Sequence, residues 1–349
     1  SRHLATAIPM KPILRFPLFF LCIAVLLGPL FGEQRPVEIV VNAARPTTEL
    51  RPIWNYFGYD EALTTLTPEG KQLLGELNKM TDAAPIRIRV HHLLTSGDGT
   101  LALKWSSTNV YSEDEKGNPV YDWKLIDAIF DELTRPGIEP FVEVSFMPRA
   151  LSAQPDPYTP TLTKHGLPGH DILSGGAYYP PKDYGKWQTF IETWVRHLVD
   201  RYGRKAVSSW LWELWNEPES DYFRGTVAEY CKLYDHFTAA LKTVVPDARV
   251  GAPHTTDPKW KNGDLFMETF LEHCRSGRNA VTGRIGAPLD FIAYHAKGLT
   301  RLDEHQRVEM DLRNHLGTID RYSSIIARFP EFARLPVYIG ESDPEGCAG

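Results

Sequence analysis

Cysteine is scarce in this chain: four residues in 349 (Cys22, Cys231, Cys274 and Cys347), with none of the paired spacings that hold zinc. No disulfide framework is expected from so few, unevenly placed thiols. An HExxH segment and a calcium-loop pattern are missing too, and no Gly-rich phosphate loop follows the first predicted strand. Neither a metal nor another cofactor is therefore expected. Internal repeats and low-complexity tracts are absent, which removes solenoid and linker architectures. Basic clustering is absent as well. With a net charge of -6 and an isoelectric point near 6.1, the chain has no electropositive stripe for a polyanion, so no nucleic-acid partner is expected.

Long apolar runs are limited to one, from Phe16 to Phe31. It follows Met10, Lys11 and Arg15 and ends at Gly32, the layout of a secretory signal peptide. The run falls short of the roughly 20 residues that cross a bilayer and is broken by Pro17, Gly28 and Pro29. Residues 10–32 are accordingly expected to be cleaved on export to the periplasm or the exterior, leaving no membrane attachment. Residues 1–9 read as upstream sequence translated in frame, and 33–349 as one domain.

Aromatic residues are plentiful at 11%, with nine Trp and fifteen Tyr. Most serve a core, and the remainder suit the flat faces of sugars. Buried strands are predicted at Arg51–Asp60, Pro85–Leu94, Ile138–Pro148, Ser208–Asn216, Ala248–Pro253, Leu289–Gly298 and Leu335–Ser342. Helical stripes lie between them. Tyr184, Trp187, Trp194 and Leu198 form one, and Tyr234, Phe237, Leu241 and Val244 another. Strand–helix alternation implies a parallel sheet with right-handed crossovers. Without a phosphate loop, a (β/α)8 TIM barrel is the better choice over a doubly wound sheet. The barrel would be incomplete at its C-terminus, with seven of eight strands present, and its natural chain is expected to continue past Gly349. The long connection from Pro148 to Pro181 follows strand three and is expected at the rim where barrel sites are built.

Barrel enzymes carry their chemistry where strands end. In "SSWLWELWNEPESD" (Ser208–Asp221) an apolar run gives way to Asn216, Glu217 and Pro218, and "VYIGES" delivers Glu341 in the same way. The two acids are about three βα units apart, on strands four and seven, facing each other across the barrel mouth. Carboxyl groups about 5 Å apart are what retaining glycoside hydrolysis requires.

"WELWNEP" and "GESDPEG", together with "WNYFGYDE", "RVHHLLTSGDG", "YPPKDYGKW", "LEHCRSGRNAVTGRIGAPLDFIAYHAKG" and "IGESDPEGC", resemble glycoside hydrolase family 39 from about Trp54 onward. The likeness is to bacterial β-xylosidases, and α-L-iduronidases share much of the frame, including HxKG after strand six. The resemblance implies Glu217 as general acid/base, Glu341 as nucleophile and Asn216 as the partner of a sugar 2-hydroxyl. His91 matches the family's RxH, while His92 is shell or core. His295 and Lys297 fall on one face of strand six and, with Asp343, complete the implied substrate-binding set. Arg89 is a candidate for holding a glutamate ionised. The expected partner is a carbohydrate, and the expected reaction is release of xylose from β-1,4-xylo-oligosaccharides. An α-L-iduronidase or arabinose-releasing enzyme on the same frame, and a sugar-binding barrel without turnover, remain open alternatives.

Overall fold

In a computed structural model of the chain, seven parallel strands form one sheet in sequential order: β1 (Tyr56–Tyr59), β2 (Arg87–Val90), β3 (Glu139–Val144), β4 (Leu211–Leu214), β5 (Arg249–Thr255), β6 (Phe291–Lys297) and β7 (Val337–Asp343). The structure describes residues 40, 44, 53–80, 84–97, 107–158, 161–163, 172–256, 262–299 and 301–344. The chain divides into Ser1–Arg51 and Pro52–Gly349, and the barrel belongs to the second unit. The expected signal peptide and the residues before it lie outside the described residues.

Each strand is paired in parallel with the next, so the sheet curls into a nearly closed barrel with β1 and β7 at its edges. This is the expected (β/α)8 plan with seven strands. Several predicted strands are trimmed at their ends. Ser208 and Ser209, read as strand, close the short helix α4 (Arg204–Ser209), because the polar pair cannot join the apolar ladder that starts at Leu211.

The remaining helices are α1 (Pro68–Leu77), α2 (Lys124–Thr134), α3 (Tyr184–Tyr202), α5 (Val227–Val244), α6 (Gly263–Ser276) and α7 (Leu312–Ile326). The starts of α1, α3, α5 and α7 are set by side chains that accept the first free N–H groups. Asp183 caps α3, and Thr226 with Glu229 forms a capping box on α5. Among the described residues no helix is long and apolar enough to cross a membrane.

Trp210 and Trp212 of the Ser208–Asp221 stretch face outward, into the layer between barrel and helices. Trp212 meets Trp194 of α3 edge-on at 5.9 Å, and Trp210 stacks on Phe130 of α2 at 5.3 Å. Alternation along the same strand turns Leu211 and Glu213 inward. Inside the barrel Phe141, Leu211, Phe291 and Ala293 pack with Tyr56 and Tyr338 into an apolar plug. Directly above it the inward positions become Arg89, Glu143, Glu213 and His295, all buried. The plug thus forms the floor of an ionic layer, and the open face of the barrel lies above that layer.

Two irregularities shape this layer. The β5–β6 register skips His254, and the β6–β7 register skips Gly340, which makes each the extra residue of a bulge. The bulges interlock, since a Cβ at position 340 would lie 2.6 Å from both Cε1 and Nδ1 of His254. Only glycine there lets the imidazole of His254 into the barrel.

Candidate active site

At the C-terminal ends of the strands a cleft of about 370 Å³ is lined by Asp60, His91, His92, Asn216, Glu217, Tyr222, Lys297 and Glu341. Four strand-end residues in and under it have positive φ: His92 (56°), Trp215 (68°), Glu217 (42°) and His254 (54°). Such backbone is costly for residues with a Cβ and persists where surrounding contacts enforce it. At Trp215 the indole donates to the carbonyl of Tyr222 at 2.7 Å, and the Glu217 amide donates to the His254 carbonyl at 3.1 Å. These bonds fold the chain after β4 back over the barrel and turn Asn216 and Glu217 into the cleft.

Glu217 and Glu341 meet there. A carboxylate oxygen of each lies within 4.8 Å of the other, with the His295 imidazole between them. His295 Nδ1 is 2.9 Å from Glu217 Oε1 and 3.6 Å from Glu341 Oε2. Lys297 Nζ donates to Glu341 Oε2 at 2.6 Å and stands 3.8 Å from Glu217. On the other side of Glu341, Arg89 Nη1 donates to Oε1 at 2.9 Å, and His91 Nε2 is 3.2 Å from the same oxygen. Arg89 also donates to Asn216 Oδ1 at 2.9 Å.

Of the residues singled out in the sequence, His91, Asn216, Glu217, Lys297 and Glu341 line the cleft together. His295 is fully buried beneath it and touches both carboxylates. Asp343 pairs with Lys297 across the β6–β7 register, and its carboxylate lies 3.8 Å from the ammonium, but it is not among the residues that line the cleft. The long connection after β3 lends support from outside: Tyr178 packs edge-on against Tyr222 at 5.6 Å, and its carbonyl accepts from the Arg224 amide.

Beneath the cleft, Arg89 was foreseen as the partner of a glutamate, but Glu143, Glu213 and His254 around it were not. Arg89 is bound by Glu143 at 2.7 Å and by Glu213, both fully buried, in addition to Glu341. His254 Nε2 contacts the second oxygen of Glu213, and Ser145 donates to Glu143. A signal for both acids was available: each is a lone Glu within an apolar strand, in "FVEVSF" and "WLWEL", at the same parity as inward Phe141 and Leu211. Asp60, directly after β1 and at the end of the first predicted strand, carried the same strand-end signal as Glu217 and was passed over, whereas Tyr222 lies in a loop and gave none.

Burial alone would raise the carboxyl of Glu341, but the His295 imidazole and the Lys297 ammonium beside it, the His91 hydrogen bond and Arg89 hold it well below the usual range. Burial likewise opposes ionisation of Glu217. Lys297 and the His295 contact outweigh both burial and the repulsion of Glu341, so its carboxyl is also lowered. Repulsion from Glu341 acts to keep Glu217 protonated, and the ammonium that stands against both carboxyls overrides it. Glu143 and Glu213 are raised by burial, which Arg89 only partly offsets.

Two triads, Asp60–His91–Glu341 and Glu217–His295–Glu341, bring possible metal ligands within 4.8 Å of one another. Glu341 is common to both, and its oxygens already receive the Lys297 ammonium and the Arg89 guanidinium. A divalent ion would have to sit against those cations, an arrangement that Coulomb repulsion disfavours in a buried site.

Residues 37–348 match the model of glycosyl hydrolases family 39. The chain belongs to this family. Among curated family 39 relatives, it is 37% identical over 268 residues to a beta-xylosidase of Caldicellulosiruptor saccharolyticus (75% of this chain, 47% of the relative). It is 25% identical over 338 residues to an alpha-L-iduronidase of Canis lupus familiaris (95% and 45%). A crystal structure of a monomeric beta-xylosidase from Caulobacter crescentus CB15 superposes with a TM-score of 0.61 at 27% identity, covering 81% of this chain and 50% of that one. This family 39 chain spans about half the length of the curated relatives it matches.

Proposed function

We propose that this chain carries the active site of a retaining, exo-acting β-xylosidase that releases xylose from β-1,4-xylo-oligosaccharides. The observation behind it is the approach of Glu217 and Glu341 oxygens to within 4.8 Å, the spacing of a double displacement with no room for a water between acid and nucleophile. Glu341, held ionised by Lys297, Arg89 and His91, attacks the anomeric carbon. Glu217 gives its proton to the leaving oxygen. Formation of the glycosyl ester removes the Glu341 charge, and Glu217, now a carboxylate, takes a proton from the water that releases the sugar. Arg89 fixes Asn216 by its carbonyl, so the amide NH₂ is the group presented to the 2-hydroxyl.

A neutral sugar suits this cleft better than a uronate. The Lys297 ammonium is engaged with Glu341 at 2.6 Å, and Asp60, Glu217 and Glu341 make the lining acidic. Relatives with xylosidase names at 30–37% identity support the same choice over iduronidase. The test compares p-nitrophenyl β-D-xyloside and α-L-iduronide hydrolysis, with ¹H NMR following the anomer first released. Xyloside turnover with retention is expected, reduced by about 10²-fold or more in Glu217→Ala, in line with loss of acid–base catalysis, and abolished in Glu341→Ala. Faster iduronide turnover, inversion, or a wild type no faster than the double variant would refute the proposal. Arabinoside turnover above xyloside turnover would reassign the sugar alone.

Export is proposed with it, supported by the charged, apolar and small-residue order from Met10 to Gly32. N-terminal sequencing of the exported protein should begin close to Glu33, and a mature protein retaining Phe16–Phe31 would contradict this.

A further inference from the structure

The acid/base carboxyl does not end at Glu217. His295 Nδ1 lies 2.9 Å from Glu217 Oε1, His295 Nε2 lies 3.4 Å from His254 Nδ1, and His254 Nε2 contacts Glu213 Oε2. Two carboxyls are therefore joined through two imidazoles by an unbroken line of nitrogen and oxygen atoms. His295, His254 and Glu213 are all fully buried, so bulk water does not interrupt the line. The interlocked bulges at His254 and Gly340 hold the middle of it in place.

A neutral imidazole donates from one nitrogen and accepts at the other, so the line has two consistent hydrogen-bond arrangements. In one, Glu213 is protonated and donates to His254 Nε2, His254 Nδ1–H donates to His295 Nε2, and His295 Nδ1–H donates to an ionised Glu217. In the other every hydrogen has moved across one hydrogen bond: Glu217 is protonated and donates to His295 Nδ1, both rings carry hydrogen on Nε2, and Glu213 is ionised. The net change is one proton passed from Glu213 to Glu217, with no charge left on either ring.

We propose that Glu213 and Glu217 share a single proton through His254 and His295, and that Glu213 and His254 are positioning residues deciding whether Glu217 enters the reaction as an acid. This rests on the reading of Glu217 as the acid/base. It also answers how a carboxyl next to Lys297 comes to be protonated when needed. The groups facing Glu213 are Arg89 from β2, Glu143 from β3, His254 from β5 and His295 from β6, with His91 and Glu341 above. Arg89 is the one guanidinium among these three acids, so one of them is the natural place for a proton. Burial favours the protonated form of Glu213, and burial with the Arg89 charge keeps His254 neutral, as the line requires.

The test uses the full chain with Glu213→Gln and His254→Gln, which keep the side-chain volume and, for position 254, the backbone carbonyl that holds Glu217. Leaving-group dependence separates proton supply from architecture, because 2,4-dinitrophenolate departs without protonation and a sugar alkoxide does not. In both variants kcat/KM for xylobiose should fall by about 10²-fold, the scale of general acid catalysis, while that for 2,4-dinitrophenyl β-xyloside stays within roughly threefold. Equal losses on both substrates, or none, would overturn the relay. Should a variant fail to fold, ¹⁵N NMR of wild-type histidines decides. The His254 and His295 rings should be neutral and carry hydrogen on the same type of nitrogen, and opposite tautomers or a cationic ring would overturn the relay. Wild-type-like turnover in Glu217→Ala would instead bring down the acid/base reading and the relay with it. Inactive Glu217→Ala beside unselective Glu213→Gln would remove the relay alone.

Discussion

Glu217 and Glu341 are the same side chain a few ångströms apart, and the difference between them lies in what each touches. Glu341 receives an ammonium, a guanidinium and an imidazole, whereas Glu217 receives His295 and only a more distant Lys297. The first is accordingly lowered further than the second, an asymmetry that suits a nucleophile beside an acid. Lys297 is the shared term, and removing it has a signed consequence. In Lys297→Met both carboxyls lose a stabilising positive charge, so both become harder to ionise. Activity requires Glu341 ionised, hence the acidic limb of kcat/KM against pH moves to higher pH. It also requires Glu217 protonated, hence the alkaline limb moves the same way, and the two limbs report the coupled pair. A pH profile on p-nitrophenyl β-xyloside checks this, and an acidic limb that stays or moves down would show that Lys297 does not set the Glu341 charge.

At the scale of elements, strands were legible because their apolar runs are bounded by turn residues, and strand ends were legible because acids interrupt them. "WELWNEP" gives both the strand and its exit, since Pro218 cannot donate to a ladder. Boundaries were less legible. Ser208 and Ser209 look like the start of a strand until α4 claims them, since the polar pair cannot join the apolar ladder and Val207 buries the helix before it. The bulges at His254 and Gly340 were not legible. Each depends on which neighbour's hydrogen bonds are skipped, a property of paired strands and not of either alone. For that reason His254 was missed while His295 was found, although the two rings meet. Glu143 and Glu213 fall between these cases. Parity places both inside the barrel, but their neutralisation by Arg89 joins three strands and follows only once β2, β3 and β4 are adjacent.

For the whole molecule the consequence of seven strands is two edges. Tyr56 and Tyr338 approach to 5.2 Å inside the barrel, yet β1 and β7 are not paired in the sheet. The outward side of β7 exposes Val337 and Ile339, at 44% and 37%. Beside β1 an apolar cleft of about 630 Å³ opens between Phe57, Leu73, Leu74, Leu77 and Ile88. Unpaired backbone flanked by exposed β-branched side chains is a template for another strand, and a charge placed there opposes it because pairing would bury the charge. The 349-residue chain by itself is therefore expected to self-associate as its concentration rises, measured by sedimentation velocity. Ile339→Lys should shift it toward monomer. Position 339 has the opposite parity to inward Tyr338, so the new ammonium points away from the cleft and turnover per folded chain should hold. Association unchanged by Ile339→Lys, or a monomer at every concentration, would mean that the β7 edge is not the adhesive surface.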